Sequence, residues 1–244
     1  EYRHKLTRVG MPVYDVTQLL RTTGELGLAT DHVQRAAGAS VLGEYVLLEC
    51  LPREIADAHI SGRIHICDLD SWPLKPSEVQ HDLRYFLKNG LVGFRPPQSF
   101  SAALAMVQNI YRLGIGDISG EQGFDLFNIF LAPYVEDTPE DAVRDSLGLF
   151  LSSVGQDFPA HAGQPGLSIG LEYVVPEFLG NAEAIGPGGR TVGVYGDYHE
   201  EAAMILDTIL EAASQEAMVS PLVSPRLIFK LRDSIERNDE VRSR

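Results

Sequence analysis

Apolar positions recur at helical spacing through the first half of the chain. Asp15 stands where it caps a helix over Val16–Glu25, Thr30 where it caps one over Asp31–Cys50, and Pro52 opens a third that runs to Ile60. Gly62 stops that helix, and Ile64 and Ile66 then alternate with His65 and Cys67, which predicts a strand over 63–68. One face of it is apolar; the other carries an imidazole and a thiol. Ser77 caps a further helix ending at Gly90. After the Pro96-Pro97 break, Ser99–Leu113 and Glu121–Phe130 read as a helix pair, and another helix opens at Thr138-Pro139-Glu140 and runs towards Val154. Next come a strand over Leu167–Val175, a Gly/Pro-rich loop from Gly180 to Gly189, a short strand near Thr191–Tyr195, a helix from Tyr198 to about Glu216 and a last strand over Leu227–Leu231. Few strands separated by long helical crossovers predict parallel pairing in an α/β fold.

With 244 residues, 44% of them hydrophobic, the chain is long enough to bury a sizeable core as one globular domain. It has no apolar run long enough to cross a bilayer and no signal-peptide pattern, so a cytoplasmic protein is expected. Two cysteines, Cys50 and Cys67, point to no disulfide framework and to a reducing compartment. A formal charge of -14 argues against a nucleic-acid or anionic-membrane surface, so any phosphate ligand must be held locally. The tail 233–244 is polar.

Candidate chemistry gathers around the predicted strand at 63–68. His65 and Cys67 share a face and form a possible thiol–imidazole pair, against the plainer reading of two buried structural side chains. Cys50, on the apolar end of a helix, is read as structural only. Asp68 and Asp70 follow, and His81, Asp82 and Arg84 open the next helix, so one polar cluster is expected. Arg84 suits a phosphate or carboxylate clamp through its planar fork, or equally an ion pair with Asp82 or Asp68. A metal site from His65, Asp68 and His81 is conceivable on ligand type, but the spacing matches no compact motif, and none is assigned. The Gly186–Arg190 loop invites a phosphate-cradle reading, although it is neither a Walker loop nor a dinucleotide fingerprint and a flexible turn is the default. Phe100, Leu104, Val107 and Tyr111, with Phe124, Phe127, Phe130 and Leu131, form helical apolar stripes read as core.

The stretch Ala-His-Ile-Ser-Gly-Arg-Ile-His-Ile-Cys-Asp-Leu-Asp at 58–70 resembles the segment around the His-Ile-His-Asp motif of anaerobic ribonucleoside-triphosphate reductases, which are glycyl-radical enzymes. Similar wording runs through TRVGMPVYDV (7–16), EYVLLECL (44–51), QHDLRYFLKNGL (80–91), GEQGFDLFNIFLAPY (120–134) and GPGGRTVGVYGDYHEEA (186–202), in the family's order.

The resemblance implies a helix-rich N-terminal part (1–62) leading into a partial, half glycyl-radical-enzyme-type α/β barrel (63–232), with 233–244 as a tail. It implies reduction of ribonucleotides to deoxyribonucleotides by radical chemistry. The glycyl radical would be generated by an S-adenosylmethionine iron–sulfur activase, with no cofactor held by these residues themselves. Expected partners are a ribonucleoside triphosphate, a nucleoside triphosphate effector, the activase and a second copy of the chain, with neither nucleic acid nor membrane. Cys67 and His65 are the catalytic candidates, Cys67 standing at the second His of the motif. Asp68, His81, Arg84, Gln98, Gln122 and Asn128, with Gln108, are candidates for nucleotide or interface contacts. The chain departs from the family in lacking an RVxGY-like glycyl loop, the Cys-rich C-terminal site, and the cysteine before His-Asp-Leu-Arg, near which Glu78 stands. The start at Glu1 without Met leads to the expectation that this is a segment of a longer protein, inactive alone. The alternative is a non-catalytic nucleotide-binding or regulatory relative that has lost the radical cysteine.

Overall fold

A computed structural model of the chain describes residues 21, 30–72, 74–157, 166–219, 224–230 and 232. The helix expected over 16–25, apart from Arg21, and the tail 233–244 lie outside them. The chain divides into two compact units, Glu1–Ser77 and Glu78–Arg244.

In the first unit, α1 (Thr30–Tyr45) runs into one π-helical turn (Val46–Cys50) that ends when the Leu51 N–H bonds Val46 O at 3.0 Å. Pro52, with no N–H to leave unsatisfied, precedes α2 (Arg53–Ile60), and its carbonyl accepts the Ile55 and Ala56 amides. Gly62 ends that helix at φ +75. The strand expected over 63–68 is absent; the segment is a succession of turns. Its amides are already spent locally: Arg63 and Ile64 both donate to Ala58 O, and Ile66 donates to the His59 side chain. Asp68, at φ +51, turns the chain away from extension.

The second unit begins with β1 (Glu78–His81) where a helix from Ser77 is expected. The helix itself, α3 (Leu83–Asn89), starts one strand later, capped by Asp82, whose carboxylate accepts the Tyr85 N–H at 3.2 Å. It ends at Gly90 as predicted; φ +80 there, and a Cβ that would strike Phe94 O, leave room only for glycine. The helix α4 (Phe100–Gly114) is capped by Ser99 and buries Phe100, Leu104, Val107 and Tyr111, the expected stripe. Glu121–Phe130 is not one helix. It splits into β2 (Glu121–Phe124) and α5 (Phe127–Leu131), joined through Leu126 at φ +55.

The helix α6 (Glu140–Asp157) leads to β3 (Gly166–Glu172), followed by α7 (Glu177–Gly180) and β4 (Glu183–Gly186). Then come β5 (Arg190–Val194), α8 (His199–Val219) and β6 (Arg226–Lys230). The main sheet is four-stranded and parallel throughout, in the order β1-β2-β3-β6, as the long crossovers require. The strand near 191–195 does not join it; β5 pairs antiparallel with β4 in a separate ribbon. Phe124, Leu167, Ile169 and Leu171 face the core shared with the helices, packed on from β6 by Leu227 and Phe229. The alternate positions form a second, mostly polar face: Glu78, Gln80, Glu121, Gly123, Gly166, Ser168, Gly170, Glu172, Arg226 and Lys230, with Ile228 the exposed apolar residue among them.

Two tyrosines tie the ribbon to this core. The Tyr134 hydroxyl donates to Gly186 O at 3.0 Å, and the Tyr195 hydroxyl accepts the Ile185 N–H at 3.4 Å. Burial pushes the Tyr195 phenol up to about 12, against the lowering pull of the Ile185 amide and Arg84, and raises Tyr134 further. Unfolded phenols ionise near pH 10, so this contribution is complete below pH 10 and is lost as pH climbs towards 12, at about 1.4 kcal/mol per pH unit for each tyrosine. Urea melts at pH 8, 10 and 11 are expected to show that decline, with a shallower one in Tyr195→Phe.

Candidate functional site

His65, Cys67 and Asp68 sit together on the turn after α2. Cys67 is solvent-exposed rather than a buried hydrophobe, and His65 is exposed as well. The His65 ring lies 5.6 Å from the His59 ring, and His59 Nδ1 accepts the Ile66 N–H at 3.1 Å. The strand that was expected to put the thiol and imidazole on one face is absent, and each is exposed on an irregular segment.

His81, Arg84, Gln98, Gln122 and Asn128 belong to the second unit, where they separate into three environments. Gln122 is fully buried on β2, and its Nε2 donates to Tyr111 O at 2.9 Å, which leaves Oε1 as the acceptor facing His81 Nε2 at 2.8 Å. That order of donors fixes the hydrogen of His81 on Nε2. The imidazole also stacks on Phe124, with centroids 5.0 Å apart. Asn128, on α5, is equally buried. Its Nδ2 donates to Glu172 O and Ala202 O at 2.8 and 3.1 Å, and its Oδ1 accepts the Glu172 N–H at 3.0 Å. This amide is a clamp between α5, β3 and α8, with its hydrogen-bonding capacity turned to the backbone.

Arg84 lines an open cavity of about 370 Å³ with Asp82, Tyr85, Lys88, Asn89, Glu183 and Ile185. Arg84 and Lys88, one turn apart on α3, present two cations there, while the Asp82 carboxylate is engaged by the Tyr85 amide. Gln98 is exposed nearby in the chain, donating to Pro96 O at 3.3 Å and resting against Gly188. The glycine loop is not an anion cradle. The Gly188 N–H is given to Pro97 O at 2.8 Å, and a Cβ at Gly189 would strike Lys88 O, so these glycines let the ribbon pack against the end of α3.

A further constellation, absent from the sequence reading, lies at the C-terminal ends of β2, β3 and β6, the end where parallel sheets place ligands. Arg232 grips the Glu172 carboxylate bidentately, Nε to Oε2 at 2.8 Å and Nη2 to Oε1 at 2.5 Å, and its guanidinium lies 5.4 Å from the Phe178 ring centre. Lys230 donates to Asp125, whose other oxygen accepts the Leu126 amide at 2.9 Å and supports its left-handed turn. Lower on the same face Arg226 bonds Glu121 at 2.5 Å. Both Arg226 and Lys230 reach across β3 to acids beyond it, over its small residues Ser168 and Gly170; a Cβ at Gly170 would collide with the Asp125 carboxylate. Glycines inside β2 and β3 were the one sequence signal for this trench.

The family model described as anaerobic ribonucleoside-triphosphate reductase matches residues 30–243. The chain belongs to that family. A curated anaerobic ribonucleoside-triphosphate reductase, from Haemophilus influenzae (strain ATCC 51907 / DSM 11121 / KW20 / Rd), is 27% identical over 145 residues, covering 56% of this chain and 20% of the relative. Among solved structures, the anaerobic ribonucleotide reductase from Thermotoga maritima with dATP bound in the specificity site superposes with a TM-score of 0.70 at 15% identity, covering 89% of this chain and 41% of that one. The same enzyme in complex with dATP and CTP gives 0.65 at 15%, covering 83% and 38%. The chain thus spans about a fifth of the curated relative's length and about two fifths of the structural ones. Like those structures it is a mixed α/β fold, with a parallel sheet that is open among the described residues.

Proposed function

We propose that this chain is the nucleotide-handling segment of a radical ribonucleotide reductase, in which the four parallel strands are part of one half of the family's α/β barrel and their polar face looks into it. The observation that carries this reading is the family match over residues 30–243. Within it, Arg84 and Lys88 bind phosphate oxygens in the 370 Å³ cavity. His65 and Cys67 form an accessible thiol–imidazole pair at the surface. Gln122 and Asn128 act from behind, holding β1, β3 and α5 in register. Chemistry on ribose requires a glycyl radical, which an activase with S-adenosylmethionine and an iron–sulfur cluster generates; an effector nucleotide and a second copy of the chain complete the assembly.

The decisive experiment is anaerobic conversion of CTP to dCTP by the native polypeptide containing this segment, after incubation with the activase. Turnover is expected. Its absence in a demonstrably radical-loaded protein sinks the catalytic reading. For binding, Arg84→Gln is expected to weaken CTP about ten- to a hundredfold by calorimetry, the loss of one charge-assisted contact worth about 1.5–3 kcal/mol; unchanged affinity moves the phosphates elsewhere.

One observation favours a second reading, a nucleotide-binding relative without radical chemistry. Glu78, exposed at the start of β1, stands near the place where many family members carry a thiol. Selective nucleotide binding without any redox-active thiol favours it, and loss of activity in Cys67→Ser counts against it.

A further inference from the structure

The hydrogen bond from the Ile66 amide to His59, with the His65 ring beside the His59 ring, ties the middle of the 61–68 segment to a side chain of α2. The geometry defines the chemistry of that imidazole. Nδ1 can accept an N–H only if it carries no hydrogen itself, so the hydrogen-bearing nitrogen of this ring is Nε2. The turn has little else to define it: Arg63 and Ile64 bond back to Ala58 O, and Asp68 bends away in a left-handed conformation. Ile66 lies between the two candidate reactive side chains, so fixing its amide fixes the direction in which His65 and Cys67 leave the backbone. It also sets the His65 ring 5.6 Å from that of His59.

We infer that His59 is a positioning residue: by accepting the Ile66 amide it holds the turn in the one shape that keeps the Cys67 thiol exposed beside His65. This deepens the reading of His65 and Cys67 as a working pair and rests on it, but the bond itself can be tested apart from that reading. Asparagine places its Oδ1 about where Nδ1 of histidine lies, whereas glutamine places its oxygen about where Nε2 lies. His59→Asn therefore keeps the acceptor and His59→Gln misplaces it, while both remove the ring.

Two measurements on the 244-residue chain, held anaerobic, separate the possibilities. Hydrogen exchange at the Ile66 amide reads the bond. It is expected to quicken at least tenfold in His59→Ala and His59→Gln and to return close to the wild-type rate in His59→Asn. The rate of Cys67 alkylation by iodoacetamide, with Cys50 as internal reference, reads the consequence; it is expected to change several-fold in the same two variants and to recover in His59→Asn. If His59→Asn and His59→Gln behave alike, or if His59→Ala leaves the Ile66 amide unchanged, the positioning role is overturned. If exchange responds as expected while alkylation does not, His59 holds the turn without governing the thiol, which overturns the inference as stated and leaves catalysis by the full protein untouched.

Discussion

Asn128→Ala is expected to destabilise the unit 78–244 by about 3–5 kcal/mol, a large part of the 5–15 kcal/mol that keeps an ordinary domain folded. The side chain makes three bonds to backbone, one accepted from the Glu172 amide and two donated to Glu172 O and Ala202 O. The site is fully buried, so truncation leaves an N–H without its acceptor and removes a donor from two carbonyls, each group costing about 1–3 kcal/mol where water cannot replace the partner. Asn128→Asp is expected to be as harmful, because it deletes both donated bonds and brings a charge into the same space. Urea unfolding followed by tryptophan-independent far-ultraviolet dichroism checks both. A loss under 1 kcal/mol means the three backbone groups find other partners.

Arg232→Met is the second large expected loss, about 3 kcal/mol, since it strands the Glu172 carboxylate, only 1% exposed, without its cation. The guanidinium is itself about one-third exposed, so the favourable worth of the pair is modest and the cost arises chiefly from the widowed buried charge. The double variant Glu172→Gln/Arg232→Met is therefore expected to recover more than half of the loss. Additive losses in the melts would show instead that Arg232 acts mainly by packing on Phe178.

The helix α4 was legible because Ser99 caps it and its apolar stripe is long and regular, and β3 and β6 because β-branched and leucine residues fill them between turn signals. β1 and β2 were not. Glu-Val-Gln-His and Glu-Gln-Gly-Phe are four residues each, too short for a period of two to show, and what makes them strands is pairing in the sheet beside β3. At 63–68 the alternation was real but the amides were committed to α2, so no ladder could form. The same distance problem hid the roles of site residues. Gln122 and Asn128 were candidates only through the family resemblance, and their local sequence gives no sign of their backbone bonds, since the partners of Asn128 lie 44 and 74 positions away along the chain. Asp125, Lys230 and Arg232 gave no local pattern at all; only the sheet brings them to one end.

The parallel order of the main sheet also dictates when the protein can take shape. Its paired positions 81 and 124, 124 and 169, and 170 and 228 are each separated by more than forty residues, so every ladder demands a long closure before any of its bonds is made. On the ribosome β3 must wait with one edge open until Lys230 has cleared the exit tunnel. During that interval the half-built sheet offers a bare template to any neighbouring chain, and nascent copies that stall before β6 are the ones expected to need a chaperone.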